Sequence, residues 1–385
     1  MNTPLPRVAI PRLDPQVLHG LLGKSLLTTE DGNDAEIDAI LDVARAFEAL
    51  DLAGVRANLL PNELAWALFF DQSTRTKSAW AGAAARLGMQ PVIVDGRSTQ
   101  LSHGETASET GAMLGMNSHA MGVRHDVILG EGRALMREMK SGIDDYLRRT
   151  GQSRRVPIVN LQCDLDHPTQ TLADLQWLRE RFAGPIRGRR IAVTWAYSPS
   201  YAKPLSVPQG LVMLLARQGA DVVLAHPEGY ELLPEALAAA RANAARSGGS
   251  FQVVASMDEA FEAADAVYPK SWGPMELMQA RVSASRDGNA LQAIEARALA
   301  SNAAHRSWIC DERRMALTKY GQALYLHCLP ADIGAEVSPK VMERAHLDVA
   351  RQAQKKVYVI MALLATAKVE DLGARLAALA RGARA

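Results

Sequence analysis

Leu64-Ala65-Trp66-Ala67-Leu68-Phe69-Phe70-Asp71-Gln72-Ser73-Thr74-Arg75-Thr76-Lys77 is the stretch that decides the fold. Leu64 to Phe70 is an unbroken apolar run, the form of a buried strand, and from about Thr76 to Leu87 the apolar residues return at helical spacing. A buried strand that passes through a short polar loop into a helix belongs to a parallel sheet covered by helices on both faces.

The same alternation continues on either side. Ile37, Ile40, Leu41, Ala44 and Phe47 recur at helical spacing behind the candidate cap Asn33. Downstream come a strand at Gln90 to Val94, a helix at Glu105 to Met116 and a strand at His119 to Arg124. Leu129 to Arg149 reads as a charged, mostly exposed helical excursion, before a strand at Val156 to Leu161 and a helix starting near Pro168. Basic Arg187-Gly188-Arg189-Arg190 then precedes apolar Ile191 to Trp195, and strand and helix alternate afresh. Further strands are expected at Asp221 to Ala225, Phe251 to Ala255, Asp265 to Tyr268 and Ala323 to His327, and Ser256 with Glu259 forms a capping-box pattern. A long Ala/Leu helix, about Gln354 to Ala380, closes the chain. The expectation is an α/β protein of two doubly wound domains with parallel sheets, residues 1–184 and 185–353, with 354–385 returning to pack on the first.

At roughly 150 residues per domain, 385 residues suit two domains. The 43 Lys+Arg against 42 Asp+Glu leave a net charge of +1, which excludes a global field for nucleic acid or an anionic membrane, so any anion site is local. With 48% hydrophobic residues the chain buries a sizeable core, and no apolar run approaches the roughly 18 residues that would span a bilayer. Met1-Asn2-Thr3-Pro4-Leu5-Pro6 lacks the charged-then-apolar pattern of a secretory signal. Cys163, Cys310 and Cys328 are too few and too scattered for a disulfide framework or a zinc cluster, so a reducing cytoplasm and no metal are expected. Neither the G-x-G-x-x-G fingerprint nor the G-x-x-x-x-G-K-[ST] loop occurs, which weakens dehydrogenase and nucleotide-hydrolase readings.

Three constellations carry chemistry. Ser73-Thr74-Arg75-Thr76 stands where a helix begins, and unpaired backbone N–H groups, hydroxyls and a guanidinium at a positive dipole end make a phosphate cradle. The competing reading is a plain Ser/Thr cap followed by solvated charges. His167-Pro168-Thr169-Gln170 follows another strand, where ligands of open α/β sheets bind, and an imidazole and an amide there suit a carbonyl oxygen and an NH2 group. Taken alone it is equally a helix start with Pro in the first turn. Arg124 ends a strand at the same edge; by itself such an arginine is usually a surface ion pair. His327-Cys328-Leu329-Pro330 places a histidine beside a thiol, but neighbouring strand residues point to opposite faces, which speaks against a thiol nucleophile and for Cys328 as a small hydrophobe.

Taken in order, Ser-Thr-Arg-Thr, Arg124, His-Pro-Thr-Gln, Asp265 with Ser271-Trp272-Gly273, and His-Cys-Leu-Pro resemble the aspartate and ornithine transcarbamylase family over about Leu18 to Leu364. The resemblance implies that the first domain binds carbamoyl phosphate and the second an amine acceptor, without cofactor or metal. Ser73, Thr74, Arg75 and Thr76 would hold the phosphate, while Arg124, His167 and Gln170 would engage the carbamoyl group. Arg75, Thr76, Arg124, His167, Gln170 and Cys328 would form the catalytic set. Cys328 and Leu329 would line the place where the amine sits, next to carbamoyl phosphate. The loop Ser98 to Glu105 matches a segment that family members lend to a neighbouring subunit, with Gln100 and His103 as the contributors, so a homotrimer is implied.

Several positions depart from the family. The last Arg of S-T-R-T-R is Lys77, and the E-N-R of the closing helix reads Gln354-Lys355-Lys356, leaving Lys356 as a point cation for carbamoyl phosphate. Ala331 replaces the Arg that follows H-C-L-P in ornithine enzymes, and Tyr197 to Leu205 replaces their asparagine-bearing segment. That Pro-rich stretch and Lys270-Ser271-Trp272 look more like the knotted branch containing N-acetylornithine and N-succinylornithine enzymes, although the tryptophan of the N-acetylornithine loop is absent from Arg97 to Glu105. A knot in the second domain is therefore implied. The acceptor is unassigned; Lys203, Asp265, Lys270, Ser271 and Trp272 are the acceptor candidates, and the lysines favour a carboxylate-bearing, amino acid-like amine. The rival readings are a catalytically silent homologue serving as a regulatory subunit, an ornithine or N-acyl-ornithine enzyme, and a Cys328-dependent hydrolase.

Overall fold

The apolar run forms β1 (Leu64–Phe69), which pairs in parallel with β2 (Gln90–Asp95) on one side and β3 (Ala120–Arg124) on the other. β4 (Ile158–Gln162) completes a parallel sheet ordered β2-β1-β3-β4. The computed structural model describes residues 9–382, so the expectation about a signal at Met1 to Pro6 lies outside the described residues. This first sheet belongs to unit 1, comprising 9–125, 132–163 and 354–382. β3 and β4 are buried almost throughout, whereas the edge strand β2 exposes Gln90, Ile93 and Asp95 and tolerates Pro91. The helix Asp34–Leu52 starts at Asn33, whose Oδ1 accepts from Glu36 N–H at 2.9 Å while Glu36 Oε2 accepts from Asn33 N–H at 3.0 Å. It buries Ile37, Ile40, Leu41, Ala44 and Phe47, as their period predicts.

One expectation in this unit is corrected. The helix Glu131–Arg149 is no exposed excursion, because it buries Met136, Met139, Ile143 and Leu147. Its charges occupy the other face. Glycines let it lie against the helix Ala107–Gly115: a Cβ at Gly142 would come 1.9 Å from Ser108 O, and one at Gly111 2.2 Å from Met139 O.

Unit 2 comprises 126–131 and 164–353 around a second parallel sheet, ordered β7-β6-β5-β8-β9. Its strands are β5 (Arg190–Thr194), β6 (Asp221–Ala225), β7 (Ser250–Val254), β8 (Ala266–Pro269) and β9 (Leu324–Tyr325). The helix Pro168–Arg181, which a boundary at 184 assigns to the first domain, clusters with unit 2 and is buried on every side through Leu178. The loop before it is tied to the buried helix Ser206–Arg217, where Gln209 Nε2 donates to the carbonyls of Asp164 and Leu165, each at 3.0 Å. The closing segment is two helices, Pro339–Lys368 and Leu372–Gly382, separated at Asp371, which has φ 53°. Among the described residues no helix is long and apolar enough to cross a membrane.

From the adjacent pair β1 and β3 the chain winds outward in opposite directions, and it does the same from β5 and β8. The carboxyl ends of those pairs are topological switch points, where ligands of such sheets bind.

Candidate active site

At the switch point of unit 1, Phe69 of β1 lies opposite Arg124 of β3, and Phe70 N–H donates to Arg124 O at 2.9 Å. This register carries the Arg124 guanidinium to the loop after β1, where Nη1 donates to Ser73 Oγ at 3.3 Å. Thr74 caps the helix Arg75–Leu87 without a side-chain hydrogen bond, and the first turn holds no acidic residue. No cap side chain thus competes for the N–H groups at the positive end of this helix, the end that favours an anion. From the closing helix, Lys356 Nζ donates to Thr76 Oγ1 at 3.4 Å, and both residues are buried. Ser73, Arg124, Thr76 and Lys356 therefore meet at one helix start. Lys77 differs: its ammonium lies over the Phe69 ring, 5.3 Å from the centroid. The loop after β2 forms the short 3-10 turns Gly96–Ser98 and Gln100–His103, with Gln100 and His103 exposed and His103 Nδ1 3.3 Å from Ser102 Oγ.

In unit 2, His167 precedes the helix Pro168–Arg181 with φ −126° and ψ 69°; its N–H donates to Asp166 Oδ1 at 2.7 Å, and Nδ1 lies 3.2 Å from Thr169 Oγ1. One turn on, Gln170 Nε2 donates to Asp174 Oδ1 at 2.7 Å. A carboxylate is a pure acceptor, so the Gln170 NH2 must face it, and Oε1 is left as the acceptor that an NH2 group of a ligand needs. Asp174 is fully buried and also accepts from Gln352 Nε2 at 2.6 Å and from the Tyr268 hydroxyl at 3.1 Å. Burial, with Asp174 and Cys328 beside it, pushes the Tyr268 hydroxyl well above its ordinary pKa.

The acceptor candidates separate into two groups. Lys203, Lys270, Ser271 and the loop His327 to Leu329 gather beyond the carboxyl ends of β5, β8 and β9. Lys203 Nζ donates to Glu336 Oε2 at 2.6 Å and Pro330 O at 3.3 Å, and lies 3.1 Å from Asp332 Oδ2. Burial alone would lower its pKa, but Glu336 and Asp332 raise it above the ordinary lysine value. Lys270 Nζ donates to the carbonyls of Ser271 at 2.7 Å and Pro204 at 3.2 Å, and burial holds its pKa below the ordinary lysine value. Leu329 has φ 55°, and its N–H donates to His327 Nδ1 at 2.9 Å. Cys328 is the half-buried cysteine; Cys163 and Cys310 are buried.

The other two candidates fall outside this cluster. Trp272 is fully buried in the core: its indole N–H donates to Tyr230 O, and its carbonyl accepts from Trp195 Nε1, each at 2.8 Å. Asp265 precedes β8 at the opposite, amino end of the sheet, where its carboxylate accepts from Arg190 N–H at 3.0 Å, Lys319 Nζ at 3.0 Å and Arg189 Nη1 at 3.2 Å. Its place in the acceptor set is corrected accordingly: the four residues of β8 carry the chain across the whole sheet before Lys270 is reached. Asp174, Tyr268, Glu336 and Gln352 were not singled out from the sequence. Only Asp174 left a local signal, lying four residues beyond Gln170 on a helix. Among the described residues no group of three or more His, Cys, Asp or Glu side chains is arranged to hold a metal ion.

Known proteins extend this picture. Residues 24–180 match the family model for the carbamoyl phosphate-binding domain of aspartate/ornithine carbamoyltransferase, and 205–367 match its Asp/Orn-binding domain. YgeW of Escherichia coli strain K12, whose name places it with the carbamoyltransferases without giving an acceptor, is 44% identical over 371 residues, covering 94% of each chain. The N-acetylornithine carbamoyltransferase of Xanthomonas campestris pv. campestris is 30% identical over 358 residues, covering 89% of this chain and 97% of its own. The crystal structure of an acetylornithine transcarbamylase complexed with acetylcitrulline superposes with a TM-score of 0.74 at 26% identity, covering 89% of this chain and 99% of that one. Sequence, sheet topology and both domain matches agree: the chain belongs to the aspartate/ornithine carbamoyltransferase family.

Proposed function

We propose that the enzyme transfers the carbamoyl group between carbamoyl phosphate and the amine of a small amino acid-like acceptor, by direct attack and without a covalent enzyme intermediate. The observation that carries this reading is the convergence of Arg124, Ser73, Thr76 and Lys356 at a helix start whose cap makes no side-chain hydrogen bond. In this reading the phosphate rests on Ser73, Thr74, Arg75 and Thr76, with Lys356 neutralising charge from the closing helix. Arg124, Thr76 and His167 direct donors at the carbonyl oxygen, and Gln170 Oε1 receives the carbamoyl NH2. The neutral amine attacks the carbonyl carbon, the C=O electron pair moves to oxygen, and a proton leaves nitrogen. The tetrahedral intermediate then collapses with the C–O bond pair departing on phosphate. Donors on that oxygen bind more strongly as it becomes an oxyanion in the transition state, and losing one typically costs on the order of 2.7 to 4 kcal/mol. Cys328 and Leu329 line the amine's place, and Lys203, Lys270 and Ser271 shape the acceptor pocket.

A homotrimer in which Gln100 and His103 complete a neighbour's site, a reducing compartment in keeping with three free cysteines, and the knotted chain path of the N-acetylornithine branch belong to the same proposal. The test is calorimetry with carbamoyl phosphate followed by a phosphate-release screen across amines. Arg75→Ala abolishes carbamoyl phosphate binding if the reading holds; an unchanged affinity refutes it.

A further inference from the structure

Glu336 lies outside every motif of the sequence, yet its fully buried carboxylate is where three acceptor-side loops meet. Oε1 accepts from Ser271 N–H at 2.7 Å and faces His327 Nε2 at 3.6 Å. Oε2 accepts from Lys203 Nζ at 2.6 Å and from Asp332 N–H at 2.8 Å. Lys203, Ser271 and the His327–Asp332 loop are therefore held by a single side chain. We propose that Glu336 is a positioning residue for the acceptor side of the site, acting through Lys203, Ser271, His327 and Asp332 to set the Cys328–Leu329 loop and to keep His327 as its neutral Nε2–H tautomer. This rests on the carbamoyl-transfer reading for its functional meaning.

The tautomer follows from the bonds. Leu329 N–H donates to His327 Nδ1 at 2.9 Å, so Nδ1 bears no proton and the ring proton sits on Nε2, the atom that faces Glu336. The ring is held between Tyr268 and Tyr325, with centroids 6.3 and 6.5 Å away, and its backbone N–H donates to Gln352 Oε1 at 3.1 Å. Burial lowers the His327 pKa, in keeping with a neutral ring. Burial would push Glu336 up, but the Lys203 ammonium bonded to it holds it well below the usual carboxylate range, so it stays an anion that accepts from Ser271 N–H, Lys203 Nζ and Asp332 N–H. A buried ion tolerates desolvation only when its lone pairs are satisfied, and charge-assisted bonds of this kind fix geometry more sharply than apolar packing.

The test uses iodoacetamide on the full-length protein, because Cys328 is the one cysteine of three that is not buried. Wild type takes one adduct, at Cys328. Glu336→Gln releases the loop, so alkylation at Cys328 accelerates about tenfold while the count stays at one adduct per chain. An alkylation rate within twofold of wild type overturns the proposal. If Glu336→Gln unfolds, seen as adducts on all three cysteines, the decision passes to 15N-histidine NMR of the wild type. There a neutral Nε2–H signature for His327 across pH 6 to 9 supports the proposal, and an Nδ1–H or doubly protonated ring overturns it. Carbamoyl phosphate calorimetry on the wild type separates the two readings. Absence of binding removes the carbamoyl-transfer reading whatever Cys328 does, whereas binding with an unmoved Cys328 rate removes only the role of Glu336.

Discussion

Gly96→Ala probes how the phosphate cradle is braced. Phe69 lies opposite Asp95 in the β1–β2 register, so Phe70 falls beside Gly96, and a Cβ built there would come within 2.6 to 2.7 Å of three Phe70 ring carbons. Carbon atoms prefer separations of about 3.5 to 4.0 Å, so the ring must retreat by about 1 Å. That ring stacks on His125 at 4.9 Å, the residue after Arg124, and Phe70 N–H is bonded to Arg124 O. Moving the ring therefore strains the two strand ends that carry Ser73 and Arg124. Overpacking of this kind typically costs about 1 to 3 kcal/mol, and if half of the upper figure falls on the cradle, carbamoyl phosphate affinity drops about tenfold. Calorimetry on wild type, Gly96→Ala, Phe70→Ala and the double variant measures the coupling. In the Phe70→Ala background the extra methyl has no ring to meet, so it adds almost no further loss. Wild-type affinity in Gly96→Ala, or equal losses from the methyl in both backgrounds, refutes the bracing.

Two further outcomes follow from the buried charges. Lys356→Met keeps the length of the side chain beside Thr76 but removes the cation, so carbamoyl phosphate affinity falls at least about tenfold, measured by calorimetry; wild-type affinity refutes a role for this cation. For Asp265, burial alone would raise the pKa, but the bonds from Lys319 and Arg190 N–H, with Arg189, bring it below the ordinary value. A folded pKa below the unfolded one gives stability that is present above about pH 4 and lost as pH falls through the folded value. Urea unfolding should therefore show Asp265→Asn weaker than wild type by roughly 2 kcal/mol at pH 7, with the gap closing below about pH 4; a gap independent of pH refutes the ion-pair account.

Local pattern determined much of this protein. The apolar run Leu64 to Phe70, the Asn33 cap and the restart at Ile191 announced parallel sheets, because strand burial and helix capping depend on residues close together in the chain. The placement of Ser73 to Thr76, Arg124, His167 and Gln170 at strand ends and helix starts was legible for the same reason. The tertiary structure decided what depends on distant partners. Trp272 looked like a contact for an acceptor and is core, since Tyr230 and Trp195 take up its polar groups. Asp265, close to Ser271 in sequence, stands at the other end of the sheet because a strand carries the chain about 3.3 Å per residue away from it. The lysines that suggested an anionic acceptor already have internal partners, and neither Glu336, which holds Lys203, nor Gln352, which bonds Asp174 and the His327 N–H, belongs to a motif. Buried polar groups must be satisfied wherever the fold brings a partner, and separation along the chain carries no trace of that pairing.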